Sequence, residues 1–356
     1  MRIGEICEFV YGDSLPKQNR IKGNIPVYGS NGKIDFHNES ITKGETIIVG
    51  RKGSIGEVHI SKTGCWIIDT AYYIKPLIEI NIQYLYLLLK TLNLSKLNKA
   101  SSIPGLNRDD VYKIDINLPT IEEQERIVKI IERKLTAVEK AKKASDEQLS
   151  VIKKLFNSYI VKIYENENRN IVKLGDIGDV SMCKRIFKEQ TQQKGDIPFY
   201  KIGTFGKKAD AYISQSIFTE YKEKYPFPQK GDVLISAAGT IGKAVIYDGE
   251  QAYYQDSNIV WINNDEKQVL NKYLYFYYLT QPWQPTSGSI VTRLYNDDIL
   301  KTNIPITSID EQKSMISLLE LKFNAVEKLK NKTNDQSSYI NTLPSSILRK
   351  AFNGDY

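Results

Sequence analysis

Two stretches of this chain are similar to each other, IEEQERIVKIIERKLTAVEK over residues 121–140 and IDEQKSMISLLELKFNAVEK over residues 309–328. Equivalent positions differ by 188 in residue number, both at the first isoleucine (309 − 121) and at the alanine of the closing Ala-Val-Glu-Lys (325 − 137). We call this difference the repeat offset. A long repeat of this kind indicates two copies of one structural unit. Two similar units on one chain can bind two similar sites on one partner.

The repeated stretch opens a long amphipathic segment. Apolar residues over 121–163 recur with alternating spacings of four and three, with Lys142 and Ser145 as weak places, and this pattern predicts a long helix with a coiled-coil face. The second copy extends over 309–352, where Pro344 predicts a kink or a restart of the helix. The predicted coiled-coil residues are Ile131, Leu135, Val138, Leu149, Ile152, Leu319, Phe323, Val326 and Ile340.

A segment of different character precedes each long helix. Residues 1–118 contain short β-type runs between glycine-containing turns, with one helix predicted near 81–91. The second segment repeats this pattern, because Gly-Asn-Ile-Pro-Val-Tyr at 23–28 returns as Gly-Asp-Ile-Pro-Phe-Tyr at 195–200. The polar run Glu165–Asn170 is the predicted link.

The predicted fold class is α+β, with two globular domains in tandem, separated by two long helices. Helices that each carry an apolar seam pack most economically on each other, which favours an antiparallel coiled coil with pseudo-twofold symmetry. The alternative is that each helix packs on its own globular domain. The predicted boundaries are 1–120 for the first globular domain, 121–164 for the first helix, 165–308 for the second globular domain and 309–356 for the second helix.

The two globular copies are less alike than the two helices. Their difference in residue number is 172 at the Ile-Pro turn (197 − 25) and 186 at the Gly-x-Ile-Gly turn (239 − 53), whereas the helices keep the repeat offset throughout. Insertions and different side chains therefore concentrate in the globular parts. Similar frameworks with different surfaces are what a reader of two different sequences needs.

The composition sets bounds on the class of protein. The net charge of +7 permits a polyanionic partner without establishing one, since basic surfaces also serve solubility. The three cysteines lie far apart with no C-x-x-C pair, which argues against a disulfide framework and suits a reducing cytosol. The first residues lack an apolar signal core, and no run approaches 18 apolar residues. We therefore expect a cytoplasmic protein without a membrane span.

Signatures of catalysis are missing from the sequence. His37, in a polar turn, and His59, in a strand-like run, are the only two histidines, and neither is at metal-ligand spacing from the other. The run GTIGKA at 239–244 fails as a phosphate-binding loop, because Ala237 and Ala244 stand where that loop needs glycine and a hydroxyl residue. No G-x-G-x-x-G follows a strand, and no Asn-Pro-Pro-aromatic run occurs. The pattern favours a binding protein with no cofactor or metal of its own.

Candidate binding residues lie in turns that combine glycine with cations. The first domain has GRKGSIG at 50–56, and the second has GTIGK at 239–243. Glycines let backbone N–H groups approach phosphates, and the neighbouring Arg and Lys add positive charge. Arg51 could instead read guanine in the major groove. A hairpin with a solvated cationic tip explains the same pattern.

The predicted DNA-binding residues divide between the two domains. Tyr28 and Tyr200 are equally explained as half-buried packing residues, whereas Arg108 and Arg293 are the candidates for contact with the DNA backbone. In the first domain the set is Tyr28, Ser30, Asn31, Lys33, Arg51, Lys52, Ser54, Thr70, Tyr72 and Arg108. In the second it is Lys184, Arg185, Tyr200, Lys201, Lys207, Lys208, Ser236, Thr240, Lys243, Asn258, Arg293 and Tyr295. The stretches 69–72 and 256–259 match at an offset of 187 (256 − 69), although each aspartate could simply cap a turn.

Several of these stretches resemble the specificity subunit of type I restriction–modification systems. IPGLNRDD at 103–110, followed by LPTIEEQERIV at 118–128, resembles the junction of a target recognition domain with its conserved helix. LPSSILRKAFNG at 343–354 resembles the end of that family's second helix, and the turns at 26–32 and 50–56 resemble one recognition-domain type. The resemblance covers essentially the whole chain in the order domain, helix, domain, helix.

The resemblance implies a subunit that is not itself an enzyme. Each target recognition domain would read one half of a bipartite DNA target, and the helices would fix the unread gap. Two methyltransferase subunits would dock on this chain, carry S-adenosylmethionine and methylate adenine N6 after base flipping. A motor-nuclease subunit would complete a restriction complex. One departure is TNIPIT at 302–307, where the family usually has a Leu-Pro ending.

Two other classes of protein remain as alternatives. A non-enzymatic scaffold could use the helices as a stalk and bind protein or carbohydrate ligands through its globular domains. Salt-dependent DNA binding separates that scaffold from a DNA reader, because phosphate contacts lose affinity steeply with salt. A standalone methyltransferase or nuclease would have to bind its cofactor as an isolated chain.

Overall fold

The computed structural model describes residues 1–97, 105–165, 169–284 and 292–354. The chain forms two compact units, each made of one globular domain and parts of both long helices. Unit 1 consists of Met1–Asp146 and Asp335–Tyr356, and unit 2 of Glu147–Asn334. The two internal boundaries, after Asp146 and after Asn334, are separated by the repeat offset.

Unit 1 has a four-stranded antiparallel sheet in the order β1-β7-β4-β5 and a three-stranded sheet in the order β3-β2-β6. Strand β2 pairs antiparallel with β3 and parallel with β6. The elements up to the first long helix are α1 Ile3–Ile6, β1 Cys7–Tyr11, β2 Ile25–Gly29, β3 Gly32–His37, β4 Thr46–Gly50, β5 Val58–Ser61, β6 Trp66–Ile67, β7 Ala71–Pro76, α2 Ile82–Thr91, α3 Arg108–Tyr112 and α4 Ile121–Tyr164.

Unit 2 repeats both sheets, in the orders β13-β12-β15-β9 and β11-β10-β14, and adds a β16-β8 pair. Strand β10 again has one antiparallel and one parallel neighbour. Its elements are β8 Asn170–Lys173, β9 Gly178–Ser181, β10 Ile197–Tyr200, β11 Tyr212–Ile213, α5 Gln215–Lys224, β12 Val233–Ser236, β13 Ala244–Ile246, β14 Tyr253–Tyr254, β15 Ile259–Asn264, α6 Asn271–Tyr278, α7 Asn296–Leu300, β16 Asn303–Ile306 and α8 Ile309–Asn353.

The two long helices are antiparallel. In unit 1 the start of α4, through Ile127 and Ile131, shares a hydrophobic core with Ala351 at the end of α8. In unit 2 the end of α4 packs with the start of α8, and the Phe156 and Phe323 rings lie 5.6 Å apart. The predicted antiparallel pairing is therefore confirmed. The alternative is wrong as a rule for whole helices, because each unit buries parts of both.

Equivalent residues start the two long helices. The Thr120 hydroxyl accepts a 3.4 Å hydrogen bond from the Glu123 backbone N–H, and the Ser308 hydroxyl accepts a 3.3 Å bond from the Glu311 N–H. Each hydroxyl thus satisfies one of the free N–H groups of the first turn.

The glutamine of the repeated stretch joins each helix start to its globular domain. Buried Gln124 accepts a 2.9 Å hydrogen bond from the Asn81 N–H, next to α2, and donates one of 2.9 Å to the Pro119 carbonyl. Buried Gln312 accepts a 2.9 Å bond from the Leu270 N–H, next to α6, and its amide donates to two carbonyls at 2.8 Å. We call these two side chains the glutamine locks.

The predicted coiled-coil residues are either buried or half-buried. Ile131, Val138 and Leu319 are buried. The half-buried members are Leu135, Leu149, Ile152, Phe323, Val326 and Ile340. Of the two weak places in the first helix, Lys142 is exposed and Ser145 is buried.

Two local predictions about helices have clear outcomes. Helix α2 confirms the helix expected near 81–91, and Asn81 caps it by accepting from the Tyr84 N–H at 3.0 Å. Of the two alternatives predicted at Pro344, the restart is wrong, since α8 runs through it to Asn353, and the kink stays a prediction. Pro344 has no backbone N–H to donate within the helix, and packing of the last turns of α8 in the core of unit 1 offsets this loss. The packing residues are Ile347, Leu348, Ala351 and Phe352.

His37 is also not in a turn. It ends strand β3, is buried, and accepts a 3.0 Å hydrogen bond from the Ile21 N–H through Nδ1. Residues 166–168 of the predicted link, and residues 103–104 of the stretch that resembles a domain junction, lie outside the described residues.

Candidate nucleic-acid interface

Two of the predicted binding turns of unit 1 pack against each other. A side chain on Gly50 would meet the Ser30 carbonyl at 2.9 Å, and one on Gly53 would lie 3.5 Å from the Ser30 hydroxyl. Gly53 also has a φ of +74°, which other residues rarely adopt. The close approach therefore needs glycine. It brings together the turns that carry the predicted residues Ser30, Arg51, Lys52 and Ser54.

Arg51 and Arg108 meet at one tyrosine. Each guanidinium carbon lies 5.0 Å from the centre of the Tyr11 ring. Arg51 donates from Nε and Nη2 to the Asp69 carbonyl at 3.0 and 2.7 Å, and Arg108 donates from Nη1 to the Phe9 carbonyl at 3.2 Å. We call Tyr11, Arg51 and Arg108 the arginine–tyrosine cluster.

Other predicted residues of unit 1 have different surroundings. Tyr72 is buried, and its hydroxyl donates to the Leu106 carbonyl at 3.0 Å, so that hydroxyl is already engaged within the protein. Burial raises the pKa of Tyr72. Tyr28 is half-buried, Asn31 and Lys52 are exposed, and the Lys33 ammonium lies 4.9 Å from the Phe36 ring centre.

The Gly-Thr-Ile-Gly turn of unit 2 is held from inside. Ser236 is buried, and its hydroxyl accepts from the Lys243 N–H at 2.9 Å and donates to the Thr240 carbonyl. This engagement argues against direct contact of Ser236 with a ligand. Thr240 itself is exposed. Desolvation, with the nearby charge of Lys207, lowers the pKa of Lys243, whose ammonium donates to the Phe205 carbonyl.

Unit 2 also has an arginine bound to the backbone carbonyl that corresponds to the Asp69 carbonyl of unit 1, but this arginine comes from a different segment of the chain. The bridges Lys52–Gly105 and Ala238–Arg293 are equivalent, so Arg293 occupies the backbone position of Gly105. Its guanidinium donates to the Ser257 carbonyl, which corresponds to the Asp69 carbonyl that Arg51 binds. Arg293 also lies 6.0 Å from the Tyr295 ring centre.

The strand register corrects one predicted offset. Ala71 lies opposite Gly50, and Ile259 lies opposite Ser236. Since Gly50 and Ser236 accept equivalent bonds from the glycines that end the two turns, β7 and β15 are related by the full repeat offset and not by 187. Asn258, whose carbonyl accepts from the Ala237 N–H, is therefore the counterpart of Thr70.

The remaining predicted cations of unit 2 mostly have internal partners. Arg185 forms a 2.9 Å ion pair with Asp256, and Lys201 forms one of 2.9 Å with Asp210. The Lys184 ammonium lies 4.8 Å from the Tyr225 ring centre. Tyr200 stacks on Tyr254 with ring centres 5.7 Å apart, and Lys207 and Lys208 are exposed.

A cavity of about 690 Å³ in unit 2 lies where unit 1 has its arginine–tyrosine cluster. Met182 follows β9 as Tyr11 ends β1, Ala237 follows β12 as Arg51 follows β4, and Asn296 begins α7 as Arg108 begins α3. The cavity is lined by Met182, Ser257, Arg293, Leu294, Tyr295, Asn296, Asp297, Asp298 and Lys301.

Sequence reasoning missed Tyr11. Its side chain is 46% exposed, so the ring is accessible at the end of a strand in the main sheet. The only signal was its position before Gly12-Asp13, a turn-like pair. Nothing in that signal connects Tyr11 with Arg51 and Arg108, which come much later in the chain.

The described residues show neither a metal site nor a membrane-spanning helix. Within residues 1–97, 105–165, 169–284 and 292–354, no group of three or more His, Cys, Asp or Glu is arranged to hold a metal ion. No helix in the same ranges is both long and apolar enough to cross a membrane.

The fold and the repeated surfaces define a class of protein with tandem α+β domains and an antiparallel pair of long helices. The sequence matches the family model of the type I restriction modification DNA specificity domain twice, over residues 1–148 and 166–336. The chain therefore belongs to the family of type I restriction–modification specificity subunits, and its function is DNA recognition in such a system.

Individual relatives agree with this family. A protein of Haemophilus influenzae, assigned as a type I restriction enzyme specificity subunit, is 41% identical over 330 residues, which cover 89% of this chain and 86% of the relative. A solved chain of a type I R-M system matches with a TM-score of 0.73 and 18% identity, covering 100% of this chain and 97% of that one. The HsdS subunit from Thermoanaerobacter tengcongensis gives a TM-score of 0.55 at 18% identity, covering 100% and 96%.

Proposed function

We propose that each globular domain reads one half of a bipartite DNA target. The observation that carries this proposal is the difference between equivalent positions of one shared scaffold. The sheets and helices of the two units correspond, yet Tyr11, Arg51 and Arg108 correspond to Met182, Ala237 and Asn296. Two surfaces that share one framework but carry different side chains suit the recognition of two different DNA sequences.

The exposed chemistry of both units suits DNA. Arginine and lysine neutralise phosphates, and arginine also pairs with guanine in the major groove. Unit 1 offers the arginine–tyrosine cluster with exposed Lys52, and unit 2 offers Lys207 and Lys208 beside Lys243. Most of the predicted contact residues belong to the turns between strands, where a duplex can reach backbone N–H groups.

The paired helices would set the gap between the two half-targets. Helices α4 and α8 are each continuous from their first to their last residue, and each contributes to both units. DNA repeats every ~10.5 bp, so readers joined rigidly require a set spacing. Removing one heptad from each helix should change the gap and leave the letters of both half-targets unchanged.

The partners follow from the same proposal. Two methyltransferase subunits would dock on this chain, hold S-adenosylmethionine and methylate adenine N6, and a restriction motor-nuclease subunit would join them in the cytoplasm. This chain would act without a catalytic centre or cofactor of its own. Its basic charge of +7 supports a DNA partner through the phosphates.

Mapping methylated adenines tests the proposal. The full chain is expressed with its methyltransferase subunits in a host without other adenine methylation, and the modified sites are sequenced. The expected result is one bipartite word with a fixed unread gap. Methylation within a single uninterrupted word, or with a variable gap, would refute it.

A further inference from the structure

We infer that Tyr11 is a positioning residue, which holds Arg51 and Arg108 side by side as a two-arginine clamp for the DNA phosphate backbone. This inference rests on the proposed DNA-reading function of unit 1 and adds a residue to it. It starts from the arginine–tyrosine cluster, whose members come from the end of β1, the turn after β4 and the start of α3.

The geometry of the cluster limits how far apart the two charges lie. Because each guanidinium carbon is 5.0 Å from the same ring centre, the two carbons are separated by at most twice that distance. Two like charges this close repel each other. The Tyr11 ring offsets part of this cost, because the electron-rich face of an aromatic ring attracts a cation that lies over it.

No carboxylate neutralises either arginine within the part of the chain that the structure describes. Neither Arg51 nor Arg108 forms an ion pair there within 4.0 Å, whereas Arg2, Arg20 and Arg185 do. The hydrogen bonds of Arg51 and Arg108 go to neutral backbone carbonyls. Each arginine has five N–H donors, so several remain for a ligand. Two anchored and unneutralised guanidinium groups suit an anion that has several acceptor oxygens, and a DNA phosphate is one.

The aromatic packing keeps Tyr11 in place. Its ring lies 5.0 Å from the Tyr72 ring, and Tyr72 is buried and bonded to the Leu106 carbonyl. Arg51 lies 6.0 Å from the Tyr72 ring as well. The Tyr11 ring is therefore half-exposed and packs on the buried ring of Tyr72. Both guanidinium groups lie next to it.

Unit 2 provides the natural contrast. The position of Tyr11 is taken by Met182, and neither Ala237 nor Asn296 carries a charge. A cavity with the single arginine Arg293 lies there instead. The clamp is therefore a property of unit 1, and Tyr11→Met copies the side chain that unit 2 uses.

The test measures DNA affinity against salt for the full chain. The probes are a duplex that carries the mapped bipartite target and a duplex of the same length with scrambled letters. For Tyr11→Met we expect about tenfold weaker binding to both duplexes and a salt slope, log K against log salt, that is smaller by about one phosphate contact. Tyr11→Phe keeps the ring and should bind like the wild type. Tyr339→Met, on the exposed face of α8, is the matched control and should also leave binding unchanged.

A double variant shows whether Tyr11 acts through the arginines. Arg51→Ala with Arg108→Ala should reduce the salt slope by about two contacts, and adding Tyr11→Met should then change nothing further. The variant with both arginine changes keeps Tyr11, so its salt slope still tests the two-arginine clamp if Tyr11→Met folds poorly. Wild-type affinity and slope for Tyr11→Met, or the same loss when the arginines are absent, would overturn the inference. Failure of the proposed function looks different, since the wild type itself would then bind target and scrambled duplexes equally.

Discussion

The two units share a buried framework and differ at their surface. Both start a long helix with a capping hydroxyl and a glutamine lock, at positions related by the repeat offset. Above this framework, unit 1 has the arginine–tyrosine cluster and unit 2 has a cavity with Arg293. The difference teaches that the duplicated positions carry stability, whereas the divergent positions are free to specify a ligand.

An arginine at one carbonyl illustrates this division. Unit 1 supplies Arg51 from the turn after β4, and unit 2 supplies Arg293 from the segment before α7, yet both donate to the equivalent carbonyl of Asp69 or Ser257. The acceptor is fixed by the backbone of the scaffold. The residue that provides the guanidinium differs between the units. The remaining N–H donors of the guanidinium therefore belong to a different segment of the chain in each unit.

The largest predicted effect concerns the equivalent core positions of the two helices. Ile131 and Leu319 are related by the repeat offset and are both fully buried. Ile131→Ala should destabilise unit 1, and Leu319→Ala unit 2, each by about 2–5 kcal/mol, because each change leaves a cavity. Hydrogen exchange measured strand by strand should show the loss in the sheet of the altered unit. Equal loss of protection in both units for either variant would contradict the division into two units.

The glutamine locks predict the next largest effect. Gln124→Leu leaves one N–H and one carbonyl without their partner, and Gln312→Leu leaves one N–H and two carbonyls. A fully buried group without a partner costs about 1–3 kcal/mol and a partly buried one costs less, and Gln312→Leu leaves more such groups, so it should be the more damaging change. Urea unfolding compares the two variants, with exposed Gln148→Leu as the control. A smaller loss for Gln312→Leu than for Gln124→Leu would contradict this ranking of the two locks.

A pH effect should distinguish the units. Burial raises the pKa of Asp232 in unit 2, although the Gln229 N–H and the Asn271 amide donate to it at 2.7 and 3.3 Å. Because the folded pKa is the higher one, the contribution of this carboxyl to stability is complete below its unfolded pKa and is lost as the pH rises through its folded pKa. One such group changes the free energy of unfolding by at most about 1.4 kcal/mol per pH unit.

Asp232→Asn should therefore flatten the pH dependence of unit 2 in the acid range just above pH 3.8, the ordinary value for this group. The corresponding carboxyl of unit 1, Glu45, accepts from Lys62 at 2.6 Å and serves as the comparison through Glu45→Gln. The measurement is urea unfolding of each variant across that range. If Asp232→Asn left the pH dependence of the free energy of unfolding unchanged, the Asp232 carboxyl would not contribute to that pH dependence.

The smallest predicted effects are changes in the free energy of unfolding that have opposite signs in the two helices. Ser145 and Thr333 are buried, small and polar, and they are related by the repeat offset. The Ser145 hydroxyl has no hydrogen-bond partner among the described residues, whereas the Thr333 hydroxyl donates to the Leu329 carbonyl at 3.0 Å. Ser145→Ala should stabilise the chain by about 1 kcal/mol, since it removes an unsatisfied group.

Thr333→Ser is the matched change in the second helix. It keeps the hydroxyl and removes a buried methyl, so it should destabilise the chain by about 1 kcal/mol. Thermal unfolding of both variants measures the two shifts. A loss of stability for Ser145→Ala would indicate that its hydroxyl has a partner after all.

Prediction from the sequence succeeded where the signal was periodic or repeated. The heptad pattern predicts both long helices, the repeat offset predicts their equivalence, and the Asn81 cap fits the helix that follows it. Prediction failed where long-range packing overrode a local preference. The restart predicted at Pro344 does not occur, and the last turns of α8 pack in the core of unit 1. His37 ends a strand and is buried, with its ring against that of Trp66 from a later strand.

The binding residues show the same limit. Arg51, a cation in a glycine-containing turn, and Arg108, a candidate for contact with the DNA backbone, both remain predicted DNA contacts. Ser236 and Tyr72 were named for their chemistry alone, and the structure shows their hydroxyls bonded inside the protein. Burial of a given hydroxyl depends on neighbours far away in sequence, so a motif by itself does not reveal it.

The sequence alone determined that this chain has two copies of a domain and a long helix, because apolar periodicity and a fixed repeat offset are written in the order of the residues. Only the tertiary structure decided that Tyr11 lies next to both Arg51 and Arg108, and that unit 2 has a cavity at the equivalent place. Tyr11 and Arg51 meet because β1 pairs with β7, and β7 with β4, and Arg108 joins them from α3 by donating to the Phe9 carbonyl of β1. Contacts over such distances along the chain leave no periodic trace in the sequence.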